Sequence, residues 1–289
     1  MGKVITIMNM KGGVGKTTVA MHVGAMLARY TFGRPARRKV LVIDYDPQFN
    51  LSQAFIPAKI YFKLESERKT TLAVLLDSDA DLNPYKLQVT GNHTPPKVSA
   101  IASLLFHYKD GGRLDIVPST LDLMYVALGQ AETQIAPIEE RFQKFVGECK
   151  SLYDVVIIDC HPAGSLFTKT SLRNSDHVVI PVIPQRYAVR GIGLMLNFIE
   201  AKNTGSLGPT PHILFNATSR TGVSTQEVEI RAHSTFGKHC MKNTLKWYSA
   251  FSEPEAGAGF VWNSTKPYST QAFHNLSAVT GEFIVRTGV

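Results

Sequence analysis

Residues 11–18, K-G-G-V-G-K-T-T, carry the strongest chemical signal in this sequence. Three of them are glycines, which can adopt positive φ and so turn backbone N–H groups toward a bound anion. Lys16 would then reach the phosphates of a nucleotide, and the Thr17 hydroxyl would bind Mg²⁺. An apolar run at 4–8 precedes the segment and a helical pattern follows it, which is the context that a phosphate-binding loop requires. The candidate nucleotide-binding residues here are Lys11, Gly12, Gly13, Val14, Gly15, Lys16, Thr17 and Thr18.

Aspartates follow two other apolar runs that are typical of buried strands. Asp44 and Asp46 end the run that begins at Lys39, and Asp159 ends the run that begins at Tyr153. Open α/β sheets bind their ligands at the carboxyl ends of the strands. The sequence therefore predicts that these carboxylates lie beside the phosphate loop, where Asp159 would hold Mg²⁺ through a water molecule.

Strand and helix patterns alternate along the chain. Near-continuous apolar strands favour a parallel sheet that is covered on both faces. We therefore predict an α/β fold with a doubly wound, mostly parallel sheet in a single domain, 1–289, with a candidate insertion within 53–113. Predicted strands lie at 3–10, 39–44, 114–119, 153–159, 177–184 and 212–216. Predicted helices lie at 16–30, 71–76, 120–131, 138–151, 191–202, 225–240 and 270–284, while 100–108 is ambiguous between helix and strand.

Composition limits the function classes. The 289 residues are 44% hydrophobic and 19% charged, which indicates a globular protein. No apolar run approaches the roughly 18 residues of a membrane span, and the start of the chain predicts no signal peptide. The three cysteines (Cys149, Cys160 and Cys240) are widely spaced, which argues against a disulfide scaffold or a Cys-x-x-Cys metal site. The net charge of +8 fits a polyanionic partner or simply a basic protein.

Several motifs together resemble the ParA/MinD family of ATPases. Residues 11–18 resemble its deviant Walker A motif, in which a second lysine opens the loop; Met10 stands where the plain motif has its first glycine. Residues 44–50 are similar to D-x-D-P-Q-x-N, and 153–159 to a Walker B strand. Residues 185–192 resemble a family segment that ends in Y-A-L-E-G-L, with Arg190 in place of the glutamate. The resemblance is strong through 1–55 and 153–222.

This resemblance implies an ATPase mechanism with ATP and Mg²⁺ as cofactors. Lys11 would cross the interface of an ATP-dependent homodimer and touch the nucleotide of the other subunit. Asp46 would orient the attacking water, so the catalytic residues would be Lys11, Lys16 and Asp46. The metal site would involve Thr17, Asp44 and Asp159.

The resemblance also suggests further contacts of the chain. Asn216 would read the adenine edge, or is an ordinary turn residue. Arg220 matches the arginine of a D-[GS]-R-T segment, although Thr218 replaces the aspartate; it would contact DNA phosphates without sequence preference, with Arg190 as a second candidate. His161 departs from the family's T-P-P or A-P-P, either as a hydrogen-bonding group near the γ-phosphate or as a tolerated substitution.

The function implied is plasmid or chromosome partition. The protein would dimerise on ATP, bind DNA non-specifically and be stimulated to hydrolyse ATP by a ParB-like partner, in a cytoplasmic, nucleoid-associated location. An alternative is a MinD-like positioning switch acting on a protein complex or membrane. The helix at 270–284 lacks a lysine-studded face, so no stable membrane anchor is expected. A phosphate-transferring biosynthetic enzyme fits Lys11 and the D-P-Q motif less well, and nitrogenase-type electron transfer would need bridging cysteines.

Overall fold

Eight strands form one sheet in the computed structural model, which describes residues 1–77, 93–128, 132–161, 166–201 and 208–289. The strand order is β3-β4-β2-β5-β1-β6-β7-β8, and the paired strands are parallel except for the antiparallel pair β3–β4. The strands are β1 (Lys3–Ile7), β2 (Lys39–Tyr45), β3 (Ser103–His107), β4 (Arg113–Val117), β5 (Val155–Cys160), β6 (His177–Val182), β7 (Thr210–Thr218) and β8 (Leu245–Lys246).

Helices cover both faces of the sheet, which confirms the predicted doubly wound α/β fold. The helices are α1 (Lys16–Arg29), α2 (Asn50–Phe55), α3 (Ala58–Ser66), α4 (Thr71–Leu75), α5 (Val98–Ile101), α6 (Leu123–Leu128), α7 (Glu132–Leu152), α8 (Leu166–Arg173), α9 (Ala188–Ala201), α10 (Thr225–Ala232) and α11 (Ser269–Thr287). Short 3₁₀ turns occupy Gly237–His239 and Ser249–Ser252.

The central strands contribute alternate side chains to two hydrophobic cores. Leu41 and Ile43 of β2 belong to one core, together with buried residues of α7 and α9. Val40 and Val42 belong to the other, together with buried residues of α1 and α11. Because successive side chains of a strand point to opposite faces, the continuous apolar sequence of β2 buries the strand on both sides and fixes its position in the sheet.

Two neighbouring helix predictions, 120–131 and 138–151, were wrong at their first residues. Helix α7 begins at Glu132 and continues through Pro137, whereas the prediction began it at 138. A proline inside a helix costs about 3 kcal/mol, but the buried Phe142 and Phe145 farther along α7 pack in the sheet core and offset this cost. The predicted helix 120–131 corresponds to α6, which begins three residues later at Leu123; residues 129–131 lie outside the described residues.

The predicted helix 225–240 ends early. His233 is extended and its ring stacks on Phe236, with 3.9 Å between ring centroids. Gly237 follows at a point where a Cβ atom would lie 2.3 Å from the Arg231 carbonyl oxygen, so the chain can turn here only with glycine. The helical pattern gave no signal of this close approach.

The candidate insertion contains the edge of the sheet. Its described part forms α3, α4, α5 and β3, and the ambiguous stretch 100–108 contains the end of α5 and the whole of β3. The sequence also predicts turns at Asn83–Pro84, Gly91–Asn92 and 205–209; the first two, and part of the third, lie outside the described residues. No helix in the described chain is both long and apolar enough to span a bilayer.

His22 is fully buried in the middle of α1. Its Nε2 lies 3.0 Å from the Phe251 carbonyl oxygen and its ring packs edge-on against Phe251 and Phe260. Its buried Nδ1 has no hydrogen-bond partner among the described residues. Because a protonated ring would bury a charge and an unpaired N–H, burial lowers the pKa of His22 to about 4, although the Phe251 contact opposes the shift.

We expect His22 to make the fold sensitive to acid. A histidine with a lowered folded-state pKa contributes stability that is present above about pH 6.5 and is lost as the pH falls toward about 4, because the unfolded chain binds the proton first. The free energy of unfolding should therefore fall by about 2.5 kcal/mol more in the wild type than in His22→Gln between roughly pH 7.5 and 4.5.

The measurement is urea unfolding followed by circular dichroism at each pH. His274→Gln, on the exposed face of α11, controls for replacement of a histidine. Parallel pH profiles for the wild type and His22→Gln would contradict the assignment.

Candidate functional site

The register of the central strands brings the predicted site residues to one edge of the sheet. Asp44 at the end of β2 pairs directly with Asp159 of β5, and Asp159 also pairs with Ile7, the last residue of β1. Since these strands are parallel, the segments that follow all three emerge at the same edge. The phosphate loop and the aspartates therefore meet there, as the sequence predicts.

The phosphate loop joins β1 to α1. Gly13 and Gly15 have φ of 72° and 85°, values that favour glycine, whereas Gly12 is not among the residues with positive φ. Helix α1 begins at Lys16, immediately after Gly15. The loop thus ends on the positive end of a helix that is mostly buried, which is a suitable place for an anion.

Two buried asparagines brace this loop. Asn9 donates to the Pro181 carbonyl oxygen at the end of β6 (2.7 Å) and accepts from the Lys11 N–H (3.0 Å). Asn216 of β7 donates to the Val14 carbonyl oxygen (2.8 Å). A Cβ atom on Gly15 would lie only 2.1 Å from Asn216 Nδ2. The loop conformation therefore depends on residues far away in the sequence.

This brace bears on the adenine contact predicted for Asn216. The side chain is buried, with 6% of its surface exposed, and its amide already bonds the loop. Reading of adenine by Asn216 stays a prediction. Its contact with the loop joins residues 202 positions apart and could not be predicted from the sequence.

The two lysines of the loop occupy different environments. Lys16 is buried, and its Nζ lies 3.3 Å from the Lys11 carbonyl oxygen. Burial lowers the pKa of Lys16, and the nearby Asp159 and Asp46 carboxylates oppose that shift. Lys11 is exposed, and its Nζ donates to Gln185 Oε1 (3.0 Å). Lys16 therefore faces the interior of the site and Lys11 faces its surface.

Serine residues hold the D-x-D-P-Q segment in place. Asp44 Oδ2 accepts from both the N–H (2.8 Å) and the hydroxyl (2.6 Å) of Ser52, and Oδ1 accepts from the Asp46 N–H (3.3 Å). The Ser119 hydroxyl donates to the Asp46 carbonyl oxygen (2.6 Å), and the Ser119 N–H donates to Ser52 Oγ (2.9 Å). Asp44 thus anchors the loop, which fits support of a metal site rather than direct ligation, and Asp46 is held beside it.

The buried Asp159 carboxylate receives little stabilisation from hydrogen-bond donors. It is 1% exposed, and neither oxygen accepts a well-formed hydrogen bond from a described residue. Burial and then the nearby Asp44 charge raise the pKa of Asp159 well above its usual range, while the Thr17 hydroxyl and Lys16 oppose the shift. Burial likewise raises the pKa of Asp44 to about 7, against the hydrogen bonds from Ser52.

These residues fit a Mg²⁺ site that is completed by the phosphates of a bound nucleotide. No group of three or more His, Cys, Asp or Glu residues in the described segments could hold a metal by itself. Mg²⁺ is commonly held by one or two protein oxygens together with water and substrate phosphates. The uncompensated Asp159 carboxylate and the Thr17 hydroxyl provide such oxygens beside the phosphate loop.

Cys160 and His161 follow Asp159 in the described chain. Burial raises the pKa of the Cys160 thiol to about 12, so Cys160 is a buried apolar-type residue rather than a nucleophile. The His161 N–H donates to the Tyr45 carbonyl oxygen (3.3 Å), and Pro162 lies outside the described residues. The role of His161 near the γ-phosphate stays a prediction.

The two predicted DNA contacts are exposed at the same edge of the sheet. Arg220 follows β7, and its guanidinium lies over the rings of Tyr268 (4.4 Å) and Tyr248 (5.9 Å). Arg190 lies in the first turn of α9, after β6. Sequence reasoning missed the two tyrosines because they come from segments where the family resemblance is weak.

The chain is similar in sequence to a known protein family and to a characterised protein. The AAA_31 family model, described as an AAA domain, matches residues 2–206. The sporulation initiation inhibitor protein Soj of Bacillus subtilis is 31% identical over 203 residues, which are 69% of this chain and 66% of that protein.

Solved structures of the same type share the fold. A putative plasmid partition protein of Borrelia burgdorferi, bound to AMPPNP, has a TM-score of 0.66 at 19% identity and covers 99% of this chain and 100% of its own. The pNOB8 ParA protein bound to nonspecific DNA has a TM-score of 0.63 at 21% identity and covers 99% of this chain and 98% of its own. At such identities the similarity establishes the fold.

We expect Asn216→Ala to weaken nucleotide binding without changing base selectivity. The substitution leaves the buried Val14 carbonyl oxygen unpaired, and an unpaired buried group costs about 1–3 kcal/mol. The dissociation constants of ATP and GTP should both rise about tenfold, which titration calorimetry would measure.

A matched variant separates loop bracing from general destabilisation. Asn243→Ala removes a hydrogen bond to Glu282, outside the phosphate loop, and should leave both affinities unchanged. Selective loss of ATP binding with GTP binding retained would instead show that Asn216 reads adenine.

Proposed function

The chain belongs to the ParA/MinD family of ATPases, close to the Soj-like partition proteins, and we propose that it is an ATP-driven DNA partition switch. In this proposal the protein dimerises on ATP, binds DNA without sequence preference and releases it after hydrolysis. One observation carries the ATPase part: the phosphate loop, Lys16 and three buried aspartates meet at a single edge of the sheet.

The proposed reaction is an in-line attack of water on the γ-phosphate of ATP. Lys16, at the start of α1, binds the phosphates and neutralises negative charge that develops in the transition state. Asp46 orients the attacking water, with its backbone fixed by Ser119. Thr17, and Asp159 through a water molecule, would hold Mg²⁺, which would supply neutralisation of the phosphate charge, and Asp44 would support this site through its hydrogen bond from Ser52.

The position of Lys11 supports a dimer as the functional unit in this proposal. It is exposed and leaves the loop toward the surface, so it is free to reach a nucleotide in a second subunit after leaving Gln185. Each site is completed only when two chains close around two ATP molecules. A single orienting carboxylate and the need for closure both predict slow basal turnover, which a ParB-like partner would stimulate.

DNA binding is supported by charge and by exposed arginines. The net charge of +8 attracts polyanions, and Arg220 and Arg190 project from the edge that carries the nucleotide site. We propose that they contact phosphates, that residues 1–289 act as one domain, and that the protein is cytoplasmic and associated with the nucleoid.

The two loop lysines should separate nucleotide binding from dimerisation. Lys16→Ala removes the buried ammonium that faces the phosphates, so ATP binding should fall by more than about tenfold. Lys11→Ala should retain ATP binding within about twofold but lose ATP-dependent dimerisation, because Lys11 lies outside the monomer site. Fluorescent-ATP titration measures nucleotide binding, and light scattering measures dimerisation.

Two outcomes would contradict these assignments. Equal ATP affinities for the wild type and Lys16→Ala would show that Lys16 does not bind the phosphates. An ATP-dependent dimer of Lys11→Ala would show that Lys11 is not required at the interface.

Co-sedimentation tests the DNA function against the alternative. The wild type with ATP should sediment with non-specific duplex DNA but not with anionic lipid vesicles, and binding should weaken steeply with salt. Arg220→Glu and Arg190→Glu should each reduce DNA binding, with Lys59→Glu on the exposed face of α3 as a charge-matched control. Binding to vesicles alone, or to neither, would favour a switch that acts on a membrane or a protein complex.

A further inference from the structure

An open cavity of about 490 Å³ surrounds Arg220. It is lined by hydroxyl, amide, guanidinium and aromatic groups: Ser219, Arg220, Thr221, Tyr248, Tyr268 and Gln271. No carboxylate is among the described residues that line it. A cavity with one cation, neutral hydrogen-bonding groups and aromatic rings is suited to a ligand that is both anionic and planar, and this combination describes a nucleotide unit.

The Arg220 guanidinium is held in a defined position. It lies 4.4 Å from the centre of the Tyr268 ring and 5.9 Å from that of Tyr248, both within the range of cation–π attraction. Its backbone is also fixed, because Lys246 Nζ lies 3.3 Å from the Arg220 carbonyl oxygen. An arginine that only contacts duplex phosphates does not require such aromatic packing, since phosphate contacts are made by charge.

Aromatic side chains at this surface are unusually exposed. Tyr268 is 56% exposed and Trp247 is 61% exposed. The Trp247 backbone N–H donates to the Thr218 carbonyl oxygen (2.9 Å). Trp247 therefore lies directly after β8 and beside the end of β7 that leads to Arg220, next to the cavity rather than in its lining. Large exposed rings beside cations are the usual platform on which unpaired bases stack.

Tyr268 immediately precedes α11 and has φ of 64°, a value that is unfavourable for a bulky residue. Its ring is 56% exposed, and the Arg220 guanidinium lies 4.4 Å from the ring centre. The ring is therefore accessible to a ligand that also contacts Arg220.

We propose that the Arg220 cavity binds single-stranded DNA, with a phosphate on Arg220 and unpaired bases stacked on Tyr268 and Trp247. The inference rests on the proposed DNA-binding function and deepens it: the same surface binds duplex phosphates by charge and binds a single strand more tightly by stacking.

The test uses the full chain with ATP and two labelled probes, oligothymidylate of about 20 nucleotides and a duplex of the same length. Fluorescence anisotropy gives both affinities. Tyr268→Ala and Trp247→Ala should each weaken binding of oligothymidylate about fivefold or more, and of duplex by less than about twofold. Tyr268→Phe should keep both affinities, since it keeps the ring. Phe62→Ala, which removes a ring 64% exposed on α3, is the matched control and should change neither.

Tryptophan fluorescence gives a second readout. The chain has two tryptophans, and Trp262 is stacked on Phe260, so a Trp262→Phe variant isolates Trp247. Oligothymidylate should quench its emission and duplex should not. Competition by dTMP shows whether the cavity binds a free mononucleotide or a nucleotide within a DNA strand. If dTMP competes as strongly as the oligomer, the cavity is a mononucleotide site and the single-strand assignment is wrong.

The outcomes separate this inference from the proposed function. If Arg220→Glu weakens both probes while Tyr268→Ala and Trp247→Ala weaken neither, the stacking site is excluded and the DNA switch stands. If Arg220→Glu changes neither probe, both proposals fail at this surface. Retained ATP binding in each variant shows that the fold and the phosphate loop are intact.

Discussion

The pairing of Asp44 with Asp159 across two central parallel strands is the constraint on which the site depends. It puts two carboxylates, both 1% exposed or less, at neighbouring positions in the sheet, and Asp46 follows two residues later. Burial of like charges is unfavourable, and the raised pKa values of Asp44 and Asp159 reflect it. The continuous apolar strands beneath them supply the burial that offsets this cost. The fold thus maintains an acidic centre that a bound cation would stabilise.

Hydrogen bonds from neighbouring residues hold the acidic segment and the phosphate loop in fixed positions. Ser52 and Ser119 bond the D-x-D-P-Q segment through side chain and backbone, and all of these groups are buried. Asn9 and Asn216 do the same for the phosphate loop. Positions fixed before the substrate arrives need no reorganisation during reaction, which is the main source of electrostatic catalysis.

The sequence predicts the features of the site that depend on short motifs, but not those that depend on contacts between distant segments. The phosphate loop, the aspartates and the doubly wound sheet could be predicted, because each depends on a short motif or on periodicity within one segment. The bracing of Val14 by Asn216 could not, since the partners are 202 residues apart and meet only through the order of the strands. The continuation of α7 through Pro137 depends likewise on burial against the sheet.

Charge is distributed differently between the interior and the surface of this edge of the sheet. Asp44, Asp46 and Asp159 are buried, whereas Lys11, Arg190 and Arg220 are exposed. The exposed cations would attract the polynucleotide of the proposed function, and a cation bound with the nucleotide would offset the negative charge of the buried carboxylates. Asn216 and Arg220 stand four residues apart at the end of β7, so the segment that braces the phosphate loop also carries the arginine of the surface. The candidate nucleotide site and the proposed polynucleotide contact thus share one short stretch of backbone.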